Sequence, residues 1–314
     1  VLVDVGAAVV AVQLDGVLGA DLLTGMGQAA LAALGDQHLL LRAAVAGEFD
    51  DIDMAMQMHS SKKTPEPTVA VGTSSNGFVG KTIQYVGRSA HAADAPDQGI
   101  NALNAAMLGI MGINSLRETF RDEDAIRVHP IITKGGDLVN NVPDDVRIET
   151  YVRAKTMEAI EKTHKKVDAA LRAGGMAIGA EVHIDTMPGH LPLVCNATLN
   201  ELLVENAKEA FPSVKIINAG HFSASTDMGD VSHLMPAIHP FIGGTDGLLH
   251  GADFKVVDFN AAALLPGKAF AGMVIDLLAD NAQKAKALLD HYEPILTKDA
   301  YIKKLDSYFS EEEP

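Results

Sequence analysis

Two hydrophobic periods alternate along this chain. Residues 52–59 read Ile-Asp-Met-Ala-Met-Gln-Met-His, and the alternation predicts a strand that ends at His59. After a loop carrying Pro65 and Pro67, residues 79–194 follow a rhythm of strand, helix, strand, strand, helix, strand. The first strand is expected at 80–86, followed by a helix over 101–120 with Leu103, Met107, Ile110 and Leu116 near helical spacing. Strands are expected near 126–133 and 147–153, the latter setting Ile148, Thr150 and Val152 against Arg147, Glu149, Tyr151 and Arg153. Thr156 can cap a second helix carrying Ile160, Val167 and Leu171, with Gly174 and Gly175 as its stop, and 181–187 closes the unit.

The flanks read as one discontinuous domain. Helical patterns at 197–210 and 260–279 and strand-like segments at 215–218 and 238–242 accompany a strand at 8–12 and weaker helix-like turns over 22–41. The expected fold class is α/β: a discontinuous α/β/α domain of residues 1–78 and 195–314, with an inserted ferredoxin-like α+β domain at 79–194. A four-stranded sheet backed by two helices leaves an edge where a second copy can add, so a homodimer is expected.

Composition narrows the partners. The chain has 314 residues, 47% of them hydrophobic and 21% charged, enough for a sizeable core in two domains. Twenty-five Lys and Arg against 41 Asp and Glu give −16, a charge that repels nucleic acid and anionic membrane surfaces. The N-terminal apolar stretch is broken by Asp4, Asp15, Asp21 and Asp36, which argues against a membrane span. The single cysteine, Cys195, cannot form an internal disulfide, which suits a reducing, cytoplasmic setting. Residues 1–47 hold no Lys, Glu or aromatic residue, and the chain opens on Val1, which points to a processed chain or a piece of a longer product.

Three strings carry candidate chemistry: Gly87-Arg88-Ser89-Ala90-His91-Ala92-Ala93; Asn140-Asn141-Val142-Pro143-Asp144 with Arg153 thirteen residues after Asn140; and residues 225–232 before Pro236-Ala237-Ile238-His239-Pro240. Together they resemble the aminoacylase and glutamate-carboxypeptidase type of two-metal peptidases, nearest to the hippurate, aminobenzoyl-glutamate and β-alanyl dipeptide amidohydrolases. The resemblance covers about residues 47–280. It implies hydrolysis of the amide of an N-acyl amino acid or dipeptide, assisted by two divalent ions, zinc foremost. His59 and His250 fall where such enzymes place metal-binding histidines, and neutral imidazole suits zinc. His91 matches a lid histidine that reaches the neighbouring subunit's site and donates to the developing oxyanion. Asn140 and Arg153 match lid residues that hold the substrate carboxylate. On the residues alone, His59 and His250 are equally polar strand-end or loop residues, His91 a turn cap, Asn140 a turn residue and Arg153 a solvated strand end.

Other groups read as structural. Asp227 and Asp230 sit in a Ser-Thr-Asp turn where backbone capping is the commoner role. His129, His183, His190, His221, His233 and His239 have no partner at ligand spacing, and His164 lies among lysines on an expected solvated helix face. The family's His-x-Asp and Glu-Glu motifs, which supply a bridging carboxylate and a general base upstream of His59, have no counterpart here: the first glutamate is Glu48, and residues 28–35 read Gln-Ala-Ala-Leu-Ala-Ala-Leu-Gly. A fragment or degenerate copy, an altered reading frame before Gly47, or an unfaithful N-terminal sequence would each account for this. The alternative function is a metal-free, catalytically silent homodimer that binds carboxylated small molecules.

Overall fold

The structure is a computed structural model, and it describes residues 7–12, 39–248 and 251–312. The chain divides into two compact units, one of residues 1–75, 193–222 and 226–302, the other of residues 76–192, 223–225 and 303–314.

The first unit opens with β1 (Ala7–Val12), α1 (Leu39–Ala46), β2 (Met54–Lys62) and β3 (Thr68–Val71). The second contains β4 (Gly77–Val86), α2 (Ala102–Leu116), β5 (Arg127–Val128), β6 (Ile131–Lys134), β7 (Asp145–Ala154), α3 (Met157–Ile178) and β8 (Glu181–Pro188). The chain then returns to the first unit through α4 (Ala197–Ala210), β9 (Lys215–Asn218), α5 (Met228–Leu234), β10 (Ala237–Ile238), β11 (Phe241–Asp246) and α6 (Leu265–Leu289). It ends with α7 (Lys298–Asp306) and β12 (Ser310–Glu312).

The first unit is a mixed sheet in the order β1-β2-β11-β3-β9, with β10 also on β2. β2 runs past His59 to Lys62, and Met54, Ala55, Met56, Gln57 and Met58 are all buried. The expected half-buried alternation is absent because this strand is covered on both faces. Met54, Met56 and Met58 pack with Leu199 and Leu203 of α4 and Leu265, Phe270 and Met273 of α6. The stretch Asn260–Leu289 is, among the described residues, the one helix long and apolar enough to cross a membrane by length and composition. Leu265, Ala269, Phe270, Met273 and Leu277 bury one face of it in the unit's core.

The second unit is an antiparallel sheet in the order β12-β8-β4-β7-β5, with β6 also on β7. Its element order and the β8-β4-β7-β5 core give the ferredoxin-like arrangement. Pro130 divides the expected single strand near 126–133 into β5 and β6, since proline cannot donate to the ladder. Asn101 caps α2 and Thr156 caps α3, each accepting a backbone N–H through its side chain. Gly174 and Gly175 do not stop α3, which ends at Gly179 in the left-handed conformation. Gly174 serves close packing instead: a Cβ there would lie 2.4 Å from the carbonyl oxygen of Ala105 and the amide nitrogen of Gly109 on α2.

Beneath the sheet Lys81 is fully buried. Its Nζ lies 2.7 and 3.0 Å from the two carboxylate oxygens of Asp168 and donates to Thr186 Oγ1 at 2.7 Å. His164 Nδ1 lies 3.6 Å from the same carboxylate and its ring meets Tyr308 edge-on, so it is not on the solvated face expected for it. Burial pulls the pKa of Asp168 up, but the hydrogen bond from His164 and the charge of Lys81 outweigh it and hold the carboxyl below its usual range. Replacing Lys81 by methionine leaves Asp168 without its cation and is expected to cost about 3 kcal/mol in urea unfolding at neutral pH. A depressed carboxyl contributes stability above its ordinary pKa and loses it as pH falls through the lowered one. The gap between Lys81→Met and wild type is therefore expected to close in acid.

Candidate functional site

In the second unit two polar clusters occupy opposite ends of β7. At its N-terminal end the loop after β4 folds back on the segment before β7: Ala92 N–H donates to Asn140 O at 2.8 Å, Val142 N–H to Ala90 O at 2.9 Å, and His91 bridges Asn141. His91 and Asn140 are thus neighbours. The Nδ1 of His91 accepts the backbone N–H groups of Asp94 at 3.0 Å and Ala93 at 3.3 Å. With Nδ1 an acceptor, the neutral ring carries its proton on Nε2, the tautomer that can donate to an oxyanion.

At the other end of β7, Arg153 sits on the sheet face turned away from the helices, in register with Phe78 of β4 and Arg127 of β5. Its guanidinium carbon lies 4.9 Å from the centroid of Phe78 and 5.2 Å from that of Tyr151. The two rings are 4.6 Å apart, and His190 meets Phe78 edge-on at 5.4 Å. Gly189 makes room for this packing, since a Cβ there would come within 2.4 Å of the Phe78 ring. Arg153 Nη1 donates to Ser225 Oγ at 2.7 Å, and among the described residues no carboxylate pairs with it. Burial pulls its pKa down, an unfavourable setting for a charge that an incoming anion would relieve. One side of the guanidinium fork serves Ser225, which leaves the Nε and Nη2 donors for a bidentate carboxylate.

Asn140 and Arg153, expected to share one carboxylate, are therefore apart within a protomer. The eight residue-to-residue steps of extended strand from Asp145 to Arg153 span roughly 26 Å, several times the distance from a substrate's carboxylate to its scissile carbonyl.

In the first unit His59 lies on β2, and its Nδ1 is 2.5 Å from Nε2 of His239. His239 is brought there by parallel pairing: Ala237 and Ile238 align with Ala55 and Met56, and His59 N–H donates to Pro240 O. Phe241 stacks on His239 and lies 6.0 Å from His59. Burial, with the nearby charge of His59, pushes the pKa of His239 down to about 3, so its ring is neutral. Sequence reasoning found no partner for His239, because 180 residues separate it from His59 and only the strand pairing joins them. His250 lies outside the described residues.

A two-metal centre needs acidic ligands. Among the described residues no group of three or more His, Cys, Asp and Glu side chains is gathered, so these residues by themselves do not fit a pair of metal ions. Asp227 caps α5 through Met228 N–H, the backbone-capping role expected of it, whereas Asp230 is buried and accepts from the Tyr301 hydroxyl.

Comparison with known proteins agrees with this architecture. The peptidase dimerisation domain of the M20 family matches residues 73–177. An Xaa-Arg dipeptidase of Mus musculus is 32% identical over 244 residues, covering 74% of this chain and 54% of that protein. One component of the p-aminobenzoyl-glutamate hydrolase of Escherichia coli is 29% identical over 163 residues, 51% of this chain and 31% of that one. The crystal structure of a dinuclear metal-binding M20 peptidase from Bacillus subtilis superposes with a TM-score of 0.58 at 18% identity, covering 76% of this chain and 61% of that one. A split α/β unit carrying a ferredoxin-like insert is the architecture these matches share, and over it the chain is similar to the M20 peptidases and amidohydrolases. It spans about half the length of the dipeptidases it matches.

Proposed function

We propose that the chain acts as a homodimeric amidohydrolase on N-acyl amino acids or dipeptides with a free carboxylate. The observation that carries this reading is Arg153: a half-buried guanidinium, flattened against two rings, held by Ser225 and without a carboxylate among the described residues. Such a group suits a planar anion, bound through Nε and Nη2. His91, protonated on Nε2, supplies the hydrogen bond that strengthens as an amide oxygen gains charge, and Asn140 stands beside it.

The distance between the clusters supports a site made by two copies, with Arg153 from one protomer and His91 and Asn140 from the other. The surface for that pairing lies on the second unit. β6 pairs with β7 on one side only among the described residues, and it exposes Ile131 and Ile132. Beside it α2 exposes Met107, Leu108 and Met111; Leu103 of this helix and Ile132 both flank Gly135. The opposite sheet edge is covered by β12. An open strand edge next to an apolar helix face suits a second copy of the chain.

The family points to divalent metal, zinc foremost, with His59 and His250 as ligands. The described residues place His59 beside His239 and no carboxylate with them, so no step of water activation is assigned to them. Cys195, a half-buried free thiol whose pKa is raised to about 11 by desolvation, suits a reducing compartment, in keeping with a cytoplasmic protein. The relatives' names span an arginine dipeptide and a glutamate conjugate, so the side chain of the released amino acid is a separate question.

The test is release of free amino acid from N-acetyl amino acids compared with their carboxamides. Hydrolysis confined to the free acids is the expected result. Binding of the acids without hydrolysis would favour the catalytically silent binding protein, and equal handling of acids and carboxamides would refute a role for the carboxylate.

A further inference from the structure

We propose that Arg127 joins Arg153 in a two-arginine subsite, so that the preferred substrate releases an acidic amino acid. The inference rests on the carboxylate reading above and names the substrate class of the same site. Arg127 and Arg153 are directly opposed on β5 and β7, and the next pair, Val128 and Val152, is buried. The alternation of a strand therefore turns both guanidinium groups to the outer face, in one row with Phe78.

Like charges directly opposed across a ladder are unfavourable, and this chain has acidic residues in surplus that could have relieved them, 41 Asp and Glu against 25 Lys and Arg. None does so among the described residues. Arg127 Nη1 donates to the carbonyl of its own neighbour Ile126 at 2.9 Å, and Arg153 Nη1 donates to Ser225. Two cations without carboxylates on adjacent strands, about 4.8 Å apart in the pairing direction, match the two carboxylates of an aspartyl or glutamyl group. Arg153, braced by Phe78 and Tyr151, has the fixed plane required for the α-carboxylate. Arg127, exposed and backed by no ring, is suited to the side-chain carboxylate, whose position varies between aspartate and glutamate.

The experiment is calorimetric binding of N-acetylglutamate, N-acetylglutamine and N-acetylarginine to the full chain, which needs no turnover. The wild type is expected to bind N-acetylglutamate about tenfold more tightly than N-acetylglutamine, the effect of one charge-assisted contact at an exposed position. Arg127→Gln should erase that ratio while leaving N-acetylglutamine unaffected, and Arg127→Glu should turn the preference towards N-acetylarginine. Arg153→Gln should weaken all three. A wild type that favours N-acetylglutamine or N-acetylarginine, or a glutamate preference that survives Arg127→Gln, would overturn the two-arginine subsite while leaving the carboxylate reading intact. Indifference of all three ligands to Arg153→Gln would overturn the carboxylate reading and the subsite with it.

Discussion

Replacing Arg153 by alanine is expected to weaken the binding of N-acetyl amino acids on the order of 100-fold, the equivalent of about 3 kcal/mol for charge-assisted hydrogen bonds at a partly desolvated site. The free protein already bears the cost of holding this cation away from water. The guanidinium is half-buried, its Nη1 satisfied by Ser225 and its face by Phe78 and Tyr151, with no neighbouring carboxylate among the described residues. A bound carboxylate would supply both the missing charge and the missing acceptors, so its affinity should depend on this one side chain. Lysine should not rescue the loss, because an ammonium offers neither the flat surface that lies on the rings nor the paired donors of the fork. The loss should fall on free acids and spare their carboxamides. Equal weakening of both would mean that the substitution had disturbed the fold around β7 rather than a carboxylate contact.

The second large effect concerns assembly. Changing Ile131 and Met111 together to aspartate is expected to convert a dimer into a species of 33.1 kDa, read by light scattering on a sizing column. Both side chains are prominently exposed, at 50% and 61%. In the separate protomer a carboxylate at either position faces water, whereas one desolvated in an apolar interface is costly. Hydrolysis should disappear with the dimer, because His91 and Arg153 stand at opposite ends of β7. The binding of N-acetyl amino acids should survive, since Arg153, Phe78, Tyr151 and Ser225 belong to one chain. Loss of activity with retained carboxylate affinity is the combination that distinguishes a divided site from simple unfolding.

The elements of the second unit are legible in the sequence where one face is wet. Alternation at β7 and the apolar stripe of α3 identify their buried residues directly, and Asn101 and Thr156 mark the starts of their helices. What eludes the sequence has tertiary causes. β2 alternates in sequence as far as His59 but is buried on both faces, so the pattern does not mark its end, and the strand continues past the histidine expected to end it. Gly174 looks like a helix stop, but it is the point where two helix backbones touch. The expected helix-like turns over 22–41 lie largely outside the described residues.

The site was legible only as separate residues. His91, Asn140 and Arg153 stand out through the family resemblance, but their division between two ends of a strand depends on register, and a slip of one residue would turn Arg153 to the opposite face. Arg127 carries no motif. It gains meaning from the strand pairing that sets it opposite Arg153, as His239 gains meaning from the parallel pairing that brings it to His59.

The central claim, a site shared between two protomers, can be tested with two inactive chains. His91→Ala and Arg153→Ala chains, each carrying a different purification tag, are co-expressed and the mixed dimer is isolated. In a symmetric dimer one of its two sites then holds an intact Arg153 from one chain and an intact His91 from the other, while the second site lacks both. Each variant alone is expected to be nearly inactive, and the mixed dimer to hydrolyse N-acetylglutamate at about half the wild-type rate, one intact site in two. A mixed dimer no more active than either parent would contradict the shared site, placing His91 and Arg153 in the service of the same protomer.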